Sequence, residues 1–212
     1  MRAKAFESAQ VLDVWSTFSL VNNHRFTYIM SSQLANTFTV PMVELTGGLP
    51  TTGDAAQAHT ADDGIPSFVA FDFWEAQLRG NISLVPVCSS SPLVLPTSHS
   101  SGDVIAFHYH VVAPVIGRFV LLGEVDKMVT GCHRRLSQLE ATADELQAVV
   151  LAAPGEDVHL EVVLPAQLSA MASHKTVANT SVSTRVTCAS KQCGSDECAS
   201  SLVCSASTCI CD

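Results

Sequence analysis

The sequence predicts an all-β fold, an antiparallel β-sandwich with a short disulfide-rich C-terminal tail. Three observations lead there. Short apolar, β-branched runs recur roughly ten residues apart with Gly, Pro, Ser or Asp between them, the spacing of strands joined by turns. No helical pattern of about ten to fifteen residues separates them, which disfavours a βαβ sheet. Six of the eight cysteines fall within the last 25 residues, a stretch too short to bury a core of its own and therefore expected to be held by cross-links.

Taken in order, residues 3–12 read as one short helix, and residues 14–29 mix apolar and polar side chains without a clean period. Residues 1–35 are taken as an N-terminal segment outside the sandwich, with no structure expected beyond that helix, and the sandwich is placed at 36–178. Its first strand is TFTVPMVEL, residues 37–45, where Pro41 suits an edge. Residues 46–66, rich in Gly, Thr, Ala, Asp and Pro, read as a long exposed loop. The strand-like run SFVAFDFWEAQL then ends at the turn signal Arg79-Gly80-Asn81. NISLVPV, SPLVLP, DVIAFHYHVVAPVI, RFVLLGEV, LQAVVLAA and VHLEVVLP follow as strands. Ala153-Pro154-Gly155-Glu156-Asp157 makes a turn, because Pro presets φ at one position and Gly accepts positive φ at the next; LQAVVLAAPGEDVHLEVVLP is accordingly read as a hairpin. The Ser/Thr-rich stretch Ser173–Thr187 reads as a linker into the tail, residues 186–212.

With 212 residues and 47% apolar content, the chain can form one packed body with an appended staple. Acidic residues outnumber basic ones 20 to 11, for a formal charge of −9, which argues against nucleic-acid or anionic-membrane partners because both require a positive footprint. No apolar stretch reaches the roughly 18 residues needed to span a bilayer. The cysteine density implies an oxidising compartment, so the chain is expected to be secreted or to reside in the secretory-pathway lumen. Asn81-Ile82-Ser83 and Asn179-Thr180-Ser181 are candidate glycosylation sites, Asn81 and Asn179 being the acceptors. Glu7, Ser8, Gln10 and Asp13 nevertheless interrupt any signal-peptide apolar region. Secretory marks without a signal are reconciled by a chain that is the C-terminal part of something longer, or by a start upstream of Met1; a cytosolic protein with a metal-binding tail is the alternative.

Cys188, Cys193, Cys198, Cys204, Cys209 and Cys211 lack the paired CxxC knuckles of a zinc site, so three disulfides are favoured over a metal. Their pairing stays open, although Cys209 and Cys211 are too close to be presumed partners. Cys88 and Cys132 lie in separate predicted strands and either pair across the body or remain free buried thiols. His108 and His110 share one face of a predicted strand and could offer two metal ligands, but no third is evident, and two solvent-facing imidazoles are the simpler reading. His133, Arg134 and Arg135 read as a solvated basic strand end. Asp72 and Glu75 flank Trp74 but would occupy opposite strand faces; Glu124 and Asp126 would share a face and be solvated. Trp15, Phe71, Phe73 and Trp74 could form a sugar platform, though aromatics in apolar strands usually serve the core. GxSxG, P-loop and HExxH motifs are absent. No catalytic, cofactor-binding or metal residue is assigned, and no cofactor is expected.

Three segments, VWSTFSLV at 14–21, GDVIAFHYHVVAPVIGRFVLLGEVDKMV at 102–129 and AAPGEDVHLEVVLP at 152–165, resemble the C-terminal region of the raffinose-synthase and seed-imbibition-protein group of α-galactosidase-like glycoside hydrolases. The resemblance implies a sandwich in which a strand ending in an apolar-Pro-Val step leads into an apolar-Gly segment and a late hairpin closes the sheet. It places catalysis elsewhere, on two aspartates of a preceding (β/α)₈ barrel in Lys-x-Asp and Arg-x-x-x-Asp elements, neither of which occurs here. A barrel also takes about 250 residues. The cysteine-rich tail departs from the plant members. The expected role is therefore a non-catalytic accessory β-sandwich of a secreted carbohydrate-active glycoprotein, with an upstream catalytic barrel and possible carbohydrate as partners. The alternative is a free-standing extracellular binding or adhesion module whose tail, growth-factor-like, is the contact surface.

Overall fold

The structure, a computed structural model, describes residues 4–5, 14–32, 34, 36–47, 66–79, 82–96, 107–128, 134–173, 183–189 and 198–211. In chain order the elements are β1 (Lys4–Ala5), β2 (Val14–Val21), β3 (His24–Ser32), β4 (Phe38–Thr39), α1 (Met42–Thr46), β5 (Phe68–Asp72), α2 (Phe73–Arg79), β6 (Leu84–Val87), β7 (Val94–Leu95), β8 (Phe107–Pro114) and β9 (Val120–Gly123). They continue with β10 (Leu136–Ala141), β11 (Glu145–Ala152), β12 (Asp157–Val163), α3 (Pro165–Ser173), β13 (Thr184–Ala189), β14 (Cys198–Ser205) and β15 (Cys209–Cys211). The fold is all-β, and every strand pair among the described residues is antiparallel.

A six-stranded sheet in the order β1-β2-β3-β8-β5-β6 runs through the middle. Its pleat separates two apolar sets, because neighbouring residues of a strand point to opposite faces. Phe26, Tyr28, Val69, Phe71, Tyr109 and Val111 face a core completed by Leu121 of β9, Leu139 of β10, Leu146 of β11, Leu160 of β12 and Leu202 of β14. That second layer consists of a four-stranded sheet, β10-β11-β14-β15, and a three-stranded sheet, β13-β12-β9. On the opposite face Ile29, Phe68, Ala70 and Val112 meet Leu45 of α1, Leu95 of β7, and Leu34 and Val40 from the segments on either side of β4. Being covered on both sides, β8 is buried without interruption from Tyr109 to Pro114, as inner strands of a covered sheet are.

Several local expectations change. The aperiodic stretch 14–29 falls within a hairpin in which Val21 pairs with His24 across Asn22-Asn23. Both asparagines have positive φ, 45° and 65°, as a two-residue type I′ turn requires. In place of the N-terminal helix, Lys4 and Ala5 pair with β2; the rest of 3–12 lies outside the described residues. TFTVPMVEL gives only β4 before Pro41 becomes the N-cap of α1, which Gly47 closes in the left-handed conformation. SFVAFDFWEAQL is a strand only as far as Asp72, and α2 begins at Phe73.

The turn at 153–157 forms as read, with the Glu156 N–H donating to Ala153 O at 3.0 Å and Gly155 at φ 78°. The hairpin does not form. Each flanking strand has both edges occupied by others, β11 by β10 and β14, and β12 by β13 and β9. The turn therefore carries the chain from one sheet to the next. The described parts of the expected linker and tail are likewise built into the body, since Thr184–Ala189 is β13 and β14 runs beside the whole of β11; residues 174–182 and 190–197 lie outside the described residues. Cys188–Cys211 and Cys204–Cys209 are disulfides. The first ties the edge strand β13 to the edge strand β15 of the other sheet. Cys88 is a free thiol beside the Ser90 hydroxyl at 3.2 Å, so its pairing with Cys132 is not made; Cys132 and Cys193 lie outside the described residues. No helix among the described residues is long and apolar enough to cross a membrane.

Candidate functional site

A polar grouping on one face of the six-stranded sheet starts from register. Asp72 of β5 lies opposite His110 of β8, and on the other side of β8 Ser31 of β3 lies opposite His108. Period-two alternation then brings Asp72, His108, His110 and Ser31 to one face. His108 Nδ1 stands 2.7 Å from Asp72 Oδ2. A carboxylate only accepts, so Nδ1 carries the proton and Nε2 is the basic nitrogen. His110 Nε2 approaches the same oxygen at 3.7 Å. Asp72 Oδ1 accepts the N–H groups of Trp74 at 2.9 Å and Glu75 at 3.2 Å, satisfying donors at the start of α2.

Charge states follow from this packing. Burial works to raise the Asp72 carboxyl, but the His108 hydrogen bond, the charge of His110 and the Glu75 N–H together hold it below its ordinary value. The bond to Asp72 raises His108 against the opposing effect of burial. Burial lowers His110 to about 4, with Asp72 opposing. His110 Nδ1 and Ser31 Oγ are buried without a hydrogen-bond partner. The two histidines thus share the face that their spacing indicated, but they are enclosed beside a carboxylate rather than turned to solvent. Both imidazoles address one oxygen, an arrangement suited to holding a proton; among the described residues no group of three or more His, Cys, Asp or Glu side chains is placed to hold a metal ion.

Trp74 and Glu75 adjoin this cluster through the backbone N–H groups they donate to Asp72; the other candidates do not converge with it. Glu75 sits in the first turn of α2, so the opposite-face argument does not apply to it. Glu124 lies just beyond β9 and is 8% exposed rather than solvated; Lys127 and Arg135 both donate to it. Asp126 is exposed. Arg135, expected to be solvated, bridges Glu124 and Glu156. Phe71 and Phe73 belong to the core, whereas Trp74 is partly exposed with its ring edge-on to Phe73 and Phe107; no sugar platform forms from the four aromatics. His133, Asn81 and Asn179 lie outside the described residues. The helix that Asp72 begins was the missed element, and the spacing Asp72-Phe73-Trp74-Glu75 is its capping-box-like signature.

One small cavity lies between the layers, lined by Tyr28, Phe71, Val111, Leu122, Leu136 and Leu160 with Glu124, Lys127 and Arg135 at one side. Its volume, about 30 Å³, is of the order of one water molecule. No protein-family model matches the chain, and no curated protein matches its sequence.

Proposed function

We propose that this chain is a non-catalytic accessory β-sandwich of a secreted carbohydrate-active protein of the raffinose-synthase and α-galactosidase-like group, packing against a catalytic barrel. The carrying observation is where the three resembling segments go. Val21 of the first, Tyr109, Val111, Phe119 and Leu121 of the second, and Ala152, Val158, Leu160 and Val162 of the third lie in one core cluster. The resemblance therefore falls on residues that must pack together, which supports a shared architecture more strongly than scattered strand texture would.

The carboxylates support a structural role. Glycoside hydrolysis needs two carboxyl groups able to reach substrate. The buried pair here is committed instead: Glu124 to Lys127 and Arg135, and Glu161 to Arg185 and the Ser183 hydroxyl. Asp72 caps a helix. The adhesion alternative gains nothing from the tail, because Leu202 and Cys204 are fully buried parts of the core rather than a detachable contact surface.

The deciding experiment is to map the 5′ end of the transcript and translate upstream of Met1. An in-frame barrel-sized extension with Lys-x-Asp and Arg-x-x-x-Asp elements is the expected result. A signal peptide alone sinks the proposal, as does hydrolysis of an α-galactoside by the purified chain at an enzyme-like rate.

A further inference from the structure

Three observations meet where β5 ends and α2 begins. One oxygen of Asp72 serves both imidazoles, at 2.7 Å from His108 and 3.7 Å from His110. The other oxygen of the same carboxylate accepts the first N–H groups of α2. His110 is 7% exposed, and its second nitrogen reaches no acceptor. The surroundings supply little further charge. From β3 the register sets Ser31 beside His108 and Ile29 beside His110; Glu75 of α2 acts on His108, while the charges acting on His110 come from Asp72 and His108.

We propose that Asp72, His108 and His110 form an acid-sensitive latch that holds α2 and the β5–β8 seam closed at neutral pH and releases them locally in mildly acidic solution. A single carboxylate neutralises one imidazolium. A second protonated imidazole would place an uncompensated charge in a buried site, so the closed state resists it. Once opened, His110 is hydrated and takes up its proton as an ordinary histidine, near pH 6.5. Because the closed site holds His110 at about 4, opening binds a proton throughout the interval between, and linkage favours opening as pH falls from 6.5 towards 4. His108 acts in the opposite sense, since its raised value favours the closed site at low pH. The net increase in the opening constant from pH 7 to pH 5 is on the order of tenfold.

Native-state hydrogen exchange of the purified chain, corrected for intrinsic rates and measured in the regime where reclosing is fast, reads this directly. The amides of Trp74–Arg79 and of the β8 segment beside them are expected to show the tenfold rise at pH 5, with those of Val158–Val162 unchanged. His110→Gln should abolish the rise, and His108→Gln should steepen it, which keeps the test alive if the first variant fails to fold. An unchanged α2, an equal rise in His110→Gln, or β12 amides moving in parallel with α2 overturns the latch.

Discussion

Arg135 and Glu156 face each other as a two-pronged ion pair, Nη1 donating to Oε2 at 2.8 Å and Nη2 donating to Oε1. The Arg135 Nε donates at the same time to Glu124 Oε2 at 2.8 Å. One guanidinium at the start of β10 thereby joins the segment after β9 and the turn between β11 and β12. Arg135→Ala leaves Glu124, 8% exposed, with Lys127 alone, and should cost about 2 kcal/mol by urea unfolding. Arg135→Lys should recover less than half of that loss, because an ammonium cannot present two parallel donors to Glu156 while also reaching Glu124.

The same pair sets a pH dependence. The Arg135 hydrogen bonds, followed by the Ala153 N–H, hold the Glu156 carboxyl down to about 2. A depressed carboxylate contributes stability that is complete above its ordinary value, near 4.5, and is lost as pH falls towards 2. Glu156→Gln should thus be less stable than the parent at pH 7 by about 1 kcal/mol, the partly exposed site being screened. That gap should close between pH 4.5 and pH 2. Urea midpoints for both proteins across this range check it, and a gap that persists at pH 2 would assign the loss to something other than the charge.

Two turn glycines separate backbone strain from steric conflict. Gly155 has φ 78°, and a Cβ added there would meet nothing within 4 Å, whereas at Gly117, φ 61°, a Cβ would stand 2.5 Å from the Thr142 carbonyl oxygen. Gly155→Ala should cost only the left-handed backbone term, about 1 kcal/mol. Gly117→Ala adds a contact with backbone that cannot rotate aside and should cost about 3 kcal/mol. Paired thermal melts of the two variants, read against the parent, give the difference.

How much of this was legible depends on whether the information is local. Much of the strand texture, the Pro154-Gly155 turn and the shared face of His108 and His110 are set by neighbours in sequence and read correctly, whereas the strand readings over 42–45 and 73–78 fall on α1 and α2. Pairing is not local. The turn after Ala152 looks like a hairpin because nothing nearby says that β14 will occupy the free edge of β11. Asp72 reaches the histidines only through the β5–β8 register, which pairs segments 36 residues apart in sequence. Other misses were local and readable. Asp72-x-x-Glu75 announces a helix start, and Asn22-Asn23 between two β-rich runs announces a tight hairpin.

That hairpin supplies a direct test of the reading. Asn23 sits at φ 65°, where an asparagine is tolerated and a glycine is free of strain. Asn23→Gly should therefore hold or raise stability by up to about 0.5 kcal/mol, and Asn23→Val should lower it by about 1.5 kcal/mol, since a β-branched residue is least tolerant of positive φ. Equal effects of the two substitutions in chemical denaturation would mean that the turn is not of this type.

Cys188 and Cys211 lie at a seam between the outer sheets. Cys188 pairs with Val158 on β12, and Cys211 pairs with Leu202 on β14; their bond crosses from one sheet to the other and closes a loop with sequence separation 23. Cys204–Cys209 closes only the β14–β15 hairpin, at sequence separation 5. If cross-links act mainly by restricting the unfolded chain, removing the longer loop costs about 3 kcal/mol and the shorter about 2 kcal/mol. The seam adds a distinction that loop length does not. Without Cys188–Cys211, β13 and β15 are free to separate while β14 still pairs with β11, so guanidinium unfolding of Cys188→Ser/Cys211→Ser should lose cooperativity as well as stability. Cys204→Ser/Cys209→Ser should shift the midpoint with the slope unchanged. A single cooperative transition in the first variant would mean that packing through Leu160, Leu146 and Leu202 joins the sheets without the disulfide.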